Sequence, residues 1–258
     1  MNFFKELNEF KKIFLPWLYF FLGATLFFFL FGGQKVEFRG ISLFLPVPTL
    51  SSFSAQFFYK IQEQLLPKGI TIIATNPLTP FLAQMTIALF LGFVFTLPLL
   101  LYRIVKYLSL ALYEHERRTI AKILIPSIIL FGLGCVFAYF FLIPLTFKML
   151  YPFAKAMGVT QFFAINEFIV LTLVFMIAVG VIFLFPVFMV LLSYFGIIKV
   201  DFWKKNWRSA LVAILIFSAV ITPDNSGITM VLLFLPLTGL YFLGYIISII
   251  IQKKGGKK

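Results

Sequence analysis

The chain has 258 residues, 62% hydrophobic and 12% charged, with a formal net charge of +13. A soluble domain carries about 25% charged residues. This composition, with a mean hydropathy of +1.04, therefore excludes a water-soluble enzyme or binding module and implies a polytopic membrane protein. The apolar runs are long and unbroken, without the alternation of barrel strands, so the spans are expected to be helices.

Six spans are read in chain order, over residues 13–32, 80–107, 120–147, 167–195, 209–221 and 228–251. The first follows Lys11 and Lys12 and has no small-residue cleavage site behind it, so it is expected to be an uncleaved anchor. Between the first two spans, Phe53, Phe57, Ile61 and Leu65 recur every fourth residue. This predicts an amphipathic outer helix over about 52–66, capped by Ser51 or Ser52 and stopped by Pro67 and Gly69. The fifth span is short: 13 residues cover only about 20 Å of a hydrocarbon core about 30 Å thick. Trp203 and Trp207 precede it as expected interfacial aromatics, and the turn Thr222-Pro-Asp-Asn-Ser-Gly227 follows. No internal repeat is visible, and the whole chain reads as a single membrane domain.

Basic residues set the expected orientation. With both termini in the cytoplasm, most of the 22 cations fall inside, in the segments Lys5–Lys12, Arg103–Lys122, Lys199–Arg208 and Lys253–Lys258. Lys35, Arg39, Lys60, Lys68, Lys148 and Lys155 fall outside. Cations spread over four segments that flank spans mark topology, and no nucleic-acid partner is expected. The single cysteine, Cys135, lies inside an apolar run and forms no internal disulfide.

The polar segment Tyr113–Arg118 joins the second and third spans and holds the one histidine, His115. His115-Glu116 has no second histidine four residues on, so it is no metalloprotease motif, and neither a metal nor a cofactor is expected. A small-molecule or ion transporter is the alternative reading. It would want ionisable groups at mid-membrane, and the spans contain almost none: Arg103, Lys106 and Glu167 lie near span ends.

Four blocks carry a resemblance over roughly residues 70–250. They are Ile73-Ala-Thr-Asn-Pro-Leu-Thr-Pro-Phe81; Leu97-Pro-Leu-Leu-Leu-Tyr-Arg103 with Ala111-Leu-Tyr-Glu-His-Glu-Arg-Arg118; Phe131-Gly-Leu-Gly-Cys-Val-Phe-Ala-Tyr-Phe-Phe-Leu-Ile-Pro144; and Ile221-Thr-Pro-Asp224 with Leu235-Pro236. In this order and spacing the chain resembles the TatC family, the multispanning core subunit of the twin-arginine protein translocase. The resemblance implies an all-α integral membrane protein of a bacterial inner membrane. Its six transmembrane helices would have both termini cytoplasmic and form a cupped bundle with short fifth and sixth spans.

The resemblance also implies a function that is not enzymatic. The family binds twin-arginine signal peptides of folded precursors and assembles as oligomers with single-span TatA- and TatB-type subunits in the lipid bilayer. It works on the proton-motive force. By the family motif, Glu116 and Glu6 are the carboxylates that meet the arginine pair, and Tyr107 is an aromatic neighbour. His115, Arg117, Arg118, Pro98, Pro223 and Asp224 support the site or the fold. The chemistry is apt, because a planar guanidinium fork matches a carboxylate. The chain departs from the family at Asn8 and Phe10, where the N-terminal motif has arginines, and at Leu110, where a proline is common. Leu184 and Phe242 stand where the family carries intramembrane glutamates.

Overall fold

The computed structural model describes residues 3–38, 41–65, 71–109, 117–158, 162–194, 196–222 and 227–255. They form ten α-helices, four short strands and one π-helical turn. The contacts divide into two compact units, one of residues 1–125 and 162–173, the other of residues 126–161 and 174–258.

In the first unit, α1 (Phe3–Leu30) packs along α3 (Thr79–Ser109). They run antiparallel: Phe29 meets Phe81 at 5.5 Å between ring centroids and Phe20 meets Phe95 at 6.2 Å. Between these pairs Gly92 lets α3 approach Thr25 closely enough that a Cβ there would strike the threonine side chain and backbone. α2 (Phe53–Leu65) is the predicted outer helix. Ser52 caps it, accepting from the Ala55 amide at 3.4 Å, and Ile61 and Leu65 are buried. Gln84 of α3 donates to Ser52 at 2.8 Å, and Phe57 stacks on Phe90, so α2 is packed against α3. β3 (Thr71–Ile73) pairs in parallel with β4 (Phe162–Ala164).

A hairpin missing from the sequence expectations joins α1 to α2. β1 (Phe31–Phe38) pairs antiparallel with β2 (Ile41–Pro48), and Gly33 faces Pro46. Gln56 donates to the Gly33 carbonyl at 3.1 Å, so that carbonyl points away from β2. The Gly33–Pro46 pair therefore exchanges no ladder bonds, and the missing N–H groups of Pro46 and Pro48 fall on the free edge of β2. Prolines on one edge and Gln56 on the other leave the hairpin poorly suited to pairing with a further strand.

α4 (Arg117–Phe137) begins in the first unit and, within the second, continues through the π-helical turn Ala138–Leu142 into α5 (Ile143–Ala156). The Ile143 amide reaches back five residues to the Ala138 carbonyl. Pro144 follows with no amide proton to offer, and the wider turn absorbs the disruption. The fourth predicted span divides into α6 (Ile165–Phe183) and α7 (Phe185–Tyr194), broken at Leu184 by Pro186. α8 (Val200–Lys205), α9 (Trp207–Ile221) and α10 (Ile228–Gly255) complete the chain.

Four stretches are long and apolar enough to cross a membrane: Thr79–Ile104, Leu124–Leu150, Ile165–Tyr194 and Ile228–Gln252. The shorter apolar helices Phe14–Leu30 and Trp207–Ile221 coincide with the first and fifth predicted spans. One expectation is corrected. The fifth helix is short, but the sixth is not: its apolar stretch runs 25 residues, because Pro236 sits inside α10 without stopping it. Several buried hydroxyls in these helices bond their own backbone, as Thr96 does to Gly92 at 2.9 Å and Ser248 to Gly244 at 2.8 Å, whereas those of Thr172, Thr229 and Thr238 have no partner among the described residues. The backbone bond is the local solution for a polar group with no water nearby.

Candidate functional site

The antiparallel packing of α1 on α3 brings the N-terminal end of α1 to the C-terminal end of α3. Glu6 lies on the first turns of α1 and Tyr107 on the last turn of α3. Arg117 and Arg118 open α4, eight residues after α3 ends. Glu6 and Tyr107 therefore share one end of the first unit; of all four residues, only the helical backbone is described. Glu116 and His115, and likewise Pro223 and Asp224, lie outside the described residues. Pro98 lies within α3, half-buried beside Leu97. It withholds one helical hydrogen bond between the Gly92–Thr25 contact and the site end.

In the sequence Arg103 reads as a topology signal near a span end and as the last residue of a resemblance block, with no site role. It lies one turn before Tyr107, half-buried, and its Nε is buried with no hydrogen-bond acceptor among the described residues. The readable hint was an arginine at the margin of an otherwise uncharged 26-residue stretch.

In the second unit Trp203 is buried, unlike its expected partner Trp207, which is 41% exposed with Arg208 over its ring. The Trp203 indole donates to Ser193 Oγ at 2.9 Å, and the Tyr241 hydroxyl donates to the Trp203 carbonyl at 2.7 Å. These bonds pin α8 between α7 and α10. Next to them Phe185, Phe188, Ala213, Phe217 and Leu240 line an apolar cavity of about 360 Å³ between α7, α9 and α10.

Four membrane-length apolar stretches define a polytopic helical membrane protein. A sequence model of the family described as "Sec-independent protein translocase protein (TatC)" matches residues 5–236, a stretch containing Glu6, Tyr107, Glu116 and Asp224. The TatC protein of Cenarchaeum symbiosum is 34% identical over 245 residues, covering 95% of this chain and 93% of the relative. That of Haemophilus influenzae is 32% identical over 217 residues, covering 83% and 84%. A crystal structure described as "Twin Arginine Translocase Receptor- TatC" superposes with a TM-score of 0.72 at 25% identity, over 95% of this chain and 99% of that one. The chain belongs to the TatC family of Sec-independent protein translocase proteins.

Proposed function

We propose that this chain is the receptor and scaffold subunit of a twin-arginine translocase. The observation that carries the reading is family membership over nearly the whole chain together with the matching solved fold. In this reading six helices cross the bacterial inner membrane with both termini in the cytoplasm. Glu116 and Glu6 receive the two guanidinium groups of a precursor's signal peptide, and Tyr107 packs beside it. The shared end of α1 and α3, with α4 opening eight residues further along the chain, supports a site assembled from these positions. His115, Arg117 and Arg118 hold the loop, while Pro98, Pro223 and Asp224 shape the helices and the outer turn.

The subunit acts by binding and assembly, without catalysing a covalent reaction, and its oligomers work with TatA- and TatB-type partners on the proton-motive force. Beside short α9, the apolar cavity offers a membrane-level surface for a single-span partner. Exchanging Glu116 for glutamine removes a charge-assisted contact worth about 1.5–3 kcal/mol. Crosslinking of a twin-arginine signal peptide to membranes containing Glu116→Gln should fall about tenfold or more, with a smaller loss for Glu6→Gln. Undiminished crosslinking in Glu116→Gln would remove the assigned site.

A further inference from the structure

Gly92, Thr96 and Arg103 recur at helical spacing on one face of α3, and Gly92 is where that face meets Thr25 of α1. Because the helices are antiparallel, 11 residues beyond Gly92 on α3 is level with 11 residues before Thr25 on α1. Arg103 is thus level with Phe14, one turn inside the exposed Lys11 and Lys12. The apolar stretches of both helices end at this level, at Phe14 on α1 and Ile104 on α3. Among the described residues Arg103 Nε is buried without a hydrogen-bond acceptor, and so is the Trp17 indole nitrogen, whose ring stacks on Phe21 and meets Phe14 edge-on. Beside them Leu15, Leu18, Tyr19 and Tyr102 present large apolar surface outward.

We propose that this place binds the phosphate group of an anionic phospholipid, with Arg103 as the principal contact, Lys11 and Lys12 as its charged rim, and the acyl chains along the exposed apolar residues. A guanidinium fork fits phosphate oxygens in a way a lone ammonium does not. The two lysines add attraction for a net-negative headgroup. Free phosphate offers the same oxygens. The lipid is the occupant because the cations stand where the apolar surface ends, the depth at which a bilayer holds its phosphates.

The test uses the full chain purified in a maltoside detergent. Retention of dioleoyl phosphatidylglycerol and dioleoyl phosphatidylcholine is measured by native mass spectrometry, and thermal unfolding is followed with each lipid and with inorganic phosphate. Phosphatidylglycerol should be retained at least tenfold better than phosphatidylcholine and should raise the unfolding midpoint, while inorganic phosphate should not. Arg103→Gln should lose most of that preference and of the midpoint shift while unfolding no earlier than the native chain without lipid, since it removes an unpaired buried donor. If Arg103→Gln does not fold, Arg103→Lys serves, and should show a clear loss of preference because the fork is gone. Equal retention of the two lipids, an undiminished preference in whichever variant folds, or stabilisation by inorganic phosphate alone would overturn the assignment.

Discussion

At Gly134 an added methyl group would lie 2.8 Å from the Gly180 Cα and 2.9 Å from the Val179 carbonyl oxygen. Both obstacles are backbone, so neither can swing aside. Without a hydrophobic drive between helices in lipid, such close approach is a main source of cohesion. It is accompanied here by Cys135, which donates to the Met176 carbonyl at 3.4 Å, and by Phe137 against Phe183. Gly134→Ala should therefore cost about 1–3 kcal/mol, seen as a lower thermal unfolding midpoint in detergent. Gly132 has nothing within 4 Å of a built Cβ, so Gly132→Ala should be neutral or gain about 0.5–1 kcal/mol from helix propensity.

Among the elements, α8 depends on its neighbours most. A helix of six residues cannot stand alone, and its Trp203 carbonyl is satisfied by Tyr241. Tyr241→Phe leaves that buried carbonyl without its partner, at about 1–3 kcal/mol; a lowered midpoint and faster proteolysis between α7 and α9 would register it. The sequence was informative about elements wherever one physical signal dominated. Each of the six apolar runs is helical, and the four-residue period from Phe53 to Leu65 is α2. It was silent where two signals competed. Pro46 and Pro48 argue against a strand until their pairing puts the missing donors on the free edge. Pro186 breaks the fourth span whereas Pro236 leaves α10 running, a difference of packing that composition does not carry. Trp203 looked interfacial because hydropathy cannot see that Ser193 and Tyr241 wait for it. The proposed site is legible only through the family motif: Glu6 and Glu116 are 110 positions apart in the chain, and no local pattern links them.

For the whole molecule, orientation and export are the decisive properties. Cys135 is the sole natural cysteine and is buried, so an engineered cysteine reports with little background. Leu50 is 97% exposed in the connection between the hairpin and α2. The proposed topology, with both termini inside, predicts that Leu50→Cys reacts with a membrane-impermeant maleimide in intact cells, and Lys257→Cys only after permeabilisation. The central claim, that this chain is the receptor of a twin-arginine translocase, is tested most directly by export. The chain would be expressed with the proposed TatA- and TatB-type subunits in a strain lacking its native TatC, and delivery of a folded twin-arginine reporter to the far side of the membrane measured. The account predicts restored export that disappears when the reporter's arginine pair is changed to two lysines or when the chain carries Glu116→Gln. No export from protein correctly inserted in the membrane, or export indifferent to the arginine pair, would contradict it.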